Sequence, residues 1–162
     1  MTQPRLVTDE VKAMIGREAQ PWTAPEPVDR GAIRRLAEAL MDENPLYTDE
    51  EYAKKTRYGG IIAPPTFAIR PPWGTWEMKG PSEWIPAVDV PGTRRTVNAG
   101  NELEFFRPVR PGDTLSHRTR VADIYERQGR SGPMAIATVE TVVSNQRGQV
   151  VALFKQTFLK MT

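Results

Sequence analysis

The chain has 162 residues, enough for one domain with one core, and its 39 % apolar and 26 % charged residues match a globular protein and not a disordered one. Its 22 Lys and Arg against 20 Asp and Glu are interspersed and leave a formal net charge of +2, too small for a nucleic-acid footprint. The lack of cysteine excludes disulfides, thiolate catalysis and thiolate metal ligands, and a single histidine, His117, argues against a transition-metal site.

No basic start followed by an apolar stretch marks a signal peptide, and no apolar run approaches membrane-spanning length. The expectation is a soluble, cytoplasmic protein without nucleic-acid or membrane partners. A mildly basic surface suits an acidic carrier protein or a coenzyme A phosphate; it also suits simple solubility.

Residues 8–15 open on Thr-Asp and stop at Gly16, which predicts a short capped helix. Residues 17–28 hold Pro21, Pro25 and Pro27 and read as an interrupted edge strand. Asp29 is a good N-cap for a helical run. Ile33, Leu36, Ala37, Leu40 and Met41 recur at helical spacing, with Arg34, Arg35 and Glu38 on the other face, so an amphipathic helix runs from here toward Asn44-Pro45. Residues 48–55 suggest another short helix, with Thr48 as cap and Glu51 as its capping-box partner. Gly59-Gly60 break the chain, and Ile61-Ile62-Ala63 lead into Pro64-Pro65. Residues 66–76 are apolar and aromatic and predict a helix, kinked at Pro71 and Pro72.

The last third is strand-like over residues 100–107, 113–126, 133–144 and 149–160. In residues 134–144 Ala135, Ala137, Val139, Thr141 and Val143 alternate with a second face. Asn145 to Gly148 predict a hairpin turn, and Pro108 to Asp113 a tight corner. Four strands in a row predict an antiparallel meander. With helices ahead of them the class is α+β, a curved sheet wrapped round one helix in a single domain spanning residues 1–162.

One segment carries more than local structure. Met41-Asp42-Glu43-Asn44-Pro45-Leu46-Tyr47 resembles the Gly-Asp-x-Asn-Pro-Leu-His run of MaoC-like hydratases and dehydratases. Further matches follow at Tyr58-Gly59-Gly60-Ile61-Ile62-Ala63 and at Glu104 through Leu115. The resemblance runs from about Ile15 to Lys160, and the joint spacing makes it specific. It implies a hot-dog fold, a curved antiparallel sheet around a central helix. It implies an acyl thioester as substrate, carried on coenzyme A or acyl carrier protein, and no other cofactor. In that family an aspartate and a histidine move a proton at the acyl α-carbon, and backbone N–H groups at the start of the central helix bind the thioester oxygen.

Two departures stand out. Tyr47 occupies the histidine position, and a phenol is a poor base at neutral pH. Pro64-Pro65 occupy the family's His-Gly pair, and proline has no N–H to offer. Thr66 and Phe67 are left as backbone donors. The Pro-Pro-Thr-Phe run looks like the N-terminal MaoC-type module, the substrate-holding subunit of heteromeric β-hydroxyacyl dehydratases and enoyl-CoA hydratases. The resemblance thus implies a catalytic MaoC-like partner, with a homodimer as the other assembly.

The catalytic candidates are accordingly Asp42, and Tyr47 in place of histidine. Asn44, Thr66, Phe67, Trp73, Trp76, Arg94 and Arg95 are the substrate-binding candidates. Each has a plainer reading. Asp42 and Asn44 are also turn formers, Tyr47 and the tryptophans (Trp84 included) also core or interface aromatics, and Arg94 and Arg95 also solvated loop charges. His117 lies outside the motif and reads as a structural or surface histidine. The main functional expectation is a subunit that supports reversible hydration of a 2-enoyl thioester. The alternatives are a non-catalytic acyl-binding or assembly module and, less well matched by the Asp-x-Asn-Pro run, a thioesterase.

Overall fold

Side-chain caps set the local structure of the first third. The computed structural model describes residues 5–69, 86–129 and 132–162. Helix α1 (Asp9–Lys12) starts where the Thr8 hydroxyl accepts from the Val11 N–H, and its turns run on to Gly16 at φ +87°. The extended segment after it bridges Glu18 to Arg120 and forms β1 (Trp22–Thr23). This edge strand is only two residues long, because the flanking prolines remove ladder donors.

Helix α2 (Arg30–Leu40) begins as expected, with Asp29 Oδ1 accepting from the Ala32 N–H at 2.9 Å and Ile33, Leu36 and Ala37 buried. It ends earlier than its pattern suggested. Met41 turns left-handed at φ 53°, and the N–H groups of Met41 and Asp42 return to the carbonyls of Glu38 and Ala37. This reverse closure normally uses glycine. As a result Leu40 and Met41, counted on the apolar face, are exposed, Met41 by 88 %.

Helix α3 (Glu50–Lys54) is capped by Asp49, not Thr48, through the Tyr52 N–H at 3.0 Å. Thr48 is spent on the preceding 3-10 turn, donating to Pro45 O, so the helix begins one residue late. Glu51 pairs forward with Lys54 instead of closing a capping box.

The other strands are β2 (Arg95–Phe105), β3 (Ser116–Gly129), β4 (Gly132–Ser144) and β5 (Val150–Met161). All described pairs are antiparallel, in the order β1-β3-β4-β5-β2. The meander therefore holds for β3 to β5 but not for β2, which lies beside β5. The stretch between Phe105 and Ser116 is long enough to carry the chain across the sheet, so sequence neighbours need not pair. The Asn145 turn forms as expected: Asn145 Oδ1 accepts from the N–H groups of Arg147 and Gln149, and Gly148 sits at φ 72°.

The alternation of β4 puts Ala135, Ala137, Val139, Thr141 and Val143 on one buried face. On the other face Glu140 lies between Arg120 at 2.7 Å and Lys155 at 3.8 Å, a charged row across three strands. One face is thus packed and one solvated, as antiparallel sheets allow. Two apolar clusters cover the packed face. One gathers Ile33, Ala37, Tyr47, Ile62, Val143 and Ala152; the other gathers Val7, Val11, Val121, Ile124 and Ala137. Each fully buried Val or Ile contributes roughly 1.5–3 kcal/mol.

Of the helix expected from Thr66 to Trp76, the described part is a 3-10 turn at Pro65–Ile69. Trp73, Trp76 and Trp84 lie outside the described residues. Among the described residues no helix is long and apolar enough to cross a membrane.

Candidate active site

The segment after α2 is held by its own side chains. Asp42 is exposed, and its Oδ1 accepts from the Asn44 N–H at 3.2 Å. Asn44 Oδ1 in turn accepts from the Leu46 N–H at 3.1 Å and starts the 3-10 turn Pro45–Tyr47. Both polar residues of the motif therefore stabilise local backbone, as short polar side chains do at turns. The turn swings Tyr47 into the core, where it is 8 % exposed. Burial pushes its phenol above the usual range, and the charges of Asp42 and Tyr58 add to this. The phenol stays protonated at neutral pH, so it can donate a hydrogen bond but cannot act as a base. Its hydroxyl makes no hydrogen bond to another described residue.

Two ladder-like bonds hold the next segment beside this one. The Ile62 N–H reaches Leu46 O at 3.2 Å, and the Ala63 N–H reaches Val109 O at 2.8 Å. The prolines at 64 and 65 then offer no donor. The Phe67 N–H already donates to Pro64 O at 2.8 Å, which removes it as a free oxyanion donor. Thr66 is exposed, and its N–H makes no backbone hydrogen bond among the described residues.

A cavity of about 350 Å³ opens beside the Pro65–Ile69 turn, and Asp42, Asn44, Tyr47, Thr66 and Phe67 are not among its described lining residues. Ile62, Ala63, Ala68 and Val109 form apolar walls, Phe105 and Phe106 a further wall, and Arg57 and Arg107 also line it. Tyr58 links the parts. Its hydroxyl accepts from Arg57 at 2.8 Å, its ring lies 4.9 Å under that guanidinium, and its carbonyl accepts from Arg110 at 2.6 Å.

Arg94 and Arg95 are not brought to this place. They are exposed at the start of β2, whose opposite end lines the cavity, about 33 Å away along an extended strand. Arg57 and Arg107 lie at the cavity instead. Arg57 directly precedes the Tyr58-Gly59-Gly60 match and Arg107 lies within the Glu104 to Leu115 match, but neither is among the binding candidates read from the sequence. His117 is buried, packs edge-on against Trp22 with ring centroids 5.4 Å apart, and is held down to a pKa of about 4 by desolvation. Among the described residues no three His, Asp or Glu side chains converge to hold a metal ion.

Strand β2 is the outer strand of the sheet beyond β5. It is exposed along nearly all of its 11 residues. Leu103, Phe105 and Phe106 are 39 %, 43 % and 48 % exposed at the cavity end. One cavity wall is therefore the end of an edge strand.

Residues 13–154 match the family model described as the FAS1-like dehydratase domain region. A "UPF0336 protein" of Saccharopolyspora erythraea is 34 % identical over 150 residues, covering 91 % of this chain and 89 % of its own. A probable enoyl-CoA hydratase alpha subunit of Thermomonospora curvata is 29 % identical over 157 residues, and this chain spans 48 % of it. Among solved structures, a MaoC-like dehydratase from Rhodospirillum rubrum has a TM-score of 0.66 and 29 % identity, with coverage of 91 % and 92 % of the two chains. A chain of the ChsH1-ChsH2 complex from Mycobacterium tuberculosis has a TM-score of 0.73 over 94 % of this chain and 92 % of its own, at 24 % identity, a likeness of fold. The curled five-stranded antiparallel sheet is thus the hot-dog fold expected from the sequence.

Proposed function

Because this chain belongs to the FAS1-like dehydratase-region family, we propose that it is the substrate-holding subunit of an acyl-thioester hydratase or dehydratase, with the proton-transfer base supplied by a partner hot-dog subunit. The reaction is reversible addition of water to a 2-enoyl thioester. The observation that carries the reading is the state of Tyr47: a buried phenol, kept protonated, stands where the family places its base. Such a group donates to a thioester carbonyl or orients a ligand; it does not remove an α-proton at neutral pH.

The cavity suits the holding role. Its walls are mainly apolar, and one belongs to the edge strand. A partner strand added beside β2 would extend the sheet, cover Leu103 and Phe105, and close the open side of the cavity. The name of the alpha subunit in Thermomonospora and the two-protein complex from Mycobacterium support a partner. Trp73 and Trp76 remain candidates for the acyl wall, and Thr66 for the remaining backbone donor. Asp42 and Asn44 shape the turn that presents Tyr47. The carrier is coenzyme A or acyl carrier protein, and the setting is the cytoplasm.

The test is a hydration assay on crotonyl-CoA and longer enoyl thioesters. The chain is purified alone, and again with a co-expressed hot-dog subunit that carries the Asp/His pair. Turnover is expected only with the partner. Robust turnover by this chain alone would end the division of labour proposed here. Absence of any acyl-thioester binding in the complex would leave the assembly-module reading in its place.

A further inference from the structure

Among the described residues the cavity carries positive charge without an acidic partner. Arg57 and Arg107, which line it, and Arg110, which does not, take part in none of the ion pairs among the described residues. No carboxylate is among the described residues that line the cavity. Arg30, Arg34, Arg35, Arg118, Arg120 and Arg147 all have acidic partners, whereas Arg5, Arg17, Arg94, Arg95 and Arg127 have none among the described residues but do not line the cavity.

The three are also held in place. The Arg57 guanidinium carbon lies 4.9 Å from the centre of the Tyr58 ring and the group donates to its hydroxyl, and Arg110 donates to the Tyr58 carbonyl. Arg107 reaches Val150 O at 3.4 Å, a weak tether that leaves most of its donors unused. Stacked and tethered guanidiniums lose less freedom on binding an oxyanion than solvated ones do.

The geometry points to Arg57 and Arg107 as a phosphate-holding rim, which grips the phosphate of the pantetheine carrier while the apolar walls take the chain attached to it. This rests on the acyl-thioester reading above and adds the carrier's anchoring point. The placement of charge favours the carrier over the acyl end. Both arginines are exposed, whereas Ile62, Ala63, Ala68 and Val109 are buried. A chain that enters this cavity puts its apolar part inward and leaves its charged part at the solvent side. A guanidinium fork matches phosphate oxygens two at a time, which gives the rim preference as well as attraction. Arg110 stands behind Tyr58 and positions it; Tyr58 in turn positions Arg57.

The experiment measures binding to the full chain by calorimetry at low ionic strength, with coenzyme A, 4′-phosphopantetheine and pantetheine as probes. Coenzyme A and 4′-phosphopantetheine are expected to bind at least about tenfold more tightly than pantetheine, a preference that shrinks with added salt. Arg57→Gln and Arg107→Gln should each reduce the preference and together abolish it, with unchanged thermal melts; Arg57→Lys should restore part of it. If 4′-phosphopantetheine shows the preference in full, the anchored group is the one common to coenzyme A and acyl carrier protein. If only coenzyme A shows it, the rim holds the nucleotide phosphates.

Equal binding of all three probes, or a preference that survives the double substitution, would overturn the rim. So would tighter binding of a succinyl than of a butyryl N-acetylcysteamine thioester, which would assign the arginines to an acyl-end carboxylate. The two readings fail separately. Binding of crotonyl N-acetylcysteamine without phosphate preference removes only the rim; no binding of that thioester or of crotonyl-CoA, with or without the partner, removes both.

Discussion

His117 makes the stability of this fold depend on pH in a defined window. Its ring is 6 % exposed, packed against Trp22, and its pKa falls from 6.5 to about 4 because burial disfavours the charged form. The unfolded chain takes up a proton as pH drops through 6.5, while the folded chain resists until about 4. Between those values the unfolded state binds more protons, so stability falls as pH falls. Above 6.5 the group contributes no slope, and below 4 the loss is complete. A tenfold difference in proton affinity between the two states is worth about 1.4 kcal/mol, so the full loss is about 3 kcal/mol. That is a large share of the 5–15 kcal/mol or so typical of a domain. Denaturant unfolding followed by circular dichroism from about pH 7.5 to 4, for the native chain and for His117→Phe, isolates this group from the carboxylates. The native chain should lose about 3 kcal/mol more than the variant over that range. Parallel curves for the two proteins would refute the desolvation argument.

Met41→Gly should stabilise the chain by up to about 1 kcal/mol, because glycine adopts the left-handed helix closure without side-chain strain; a melting temperature raised by about 2–4 °C is the readout, and a lowered one would contradict the closure. Asp42→Asn keeps the oxygen that caps Asn44, so hydration by the reconstituted complex should stay within about threefold; a loss of 10²-fold or so would make Asp42 the working carboxylate. Tyr47→Phe should weaken crotonyl-thioester binding by roughly five- to tenfold with little change in stability, since the lost hydroxyl has no described protein partner. Binding by the native phenol should also stay level from about pH 7 to 9, because its raised pKa keeps it protonated there. Leu103→Lys with Phe105→Lys should abolish association with the partner in gel filtration while leaving the isolated chain folded; an intact complex would move the interface away from β2.

Much of the architecture arises from local chemistry, and those parts are legible in the sequence. Thr8 and Asp29 cap their helices because a short polar side chain beside a helical run meets free N–H groups whatever the rest of the chain does. The period of two in β4 and the Asn145 to Gly148 turn define a hairpin through contacts a few residues apart. The Asp42 to Tyr47 run carries the family resemblance, and tyrosine in place of histidine raises the expectation that the base comes from elsewhere.

Tertiary structure decided what depends on residues far apart. β2 could have joined β3 by sequence order; its ladder with β5 places the open edge next to the cavity. Arg57 and Arg107 come together because Ala63 hydrogen-bonds Val109 and draws two distant segments onto one wall, a pairing no local pattern encodes. His117 looks like any strand residue until β1 lays Trp22 beside it. Local torsions and caps act over a few residues and leave a readable pattern. Enclosure, charge convergence and desolvation arise only when the sheet brings separate segments within a few ångströms of one another.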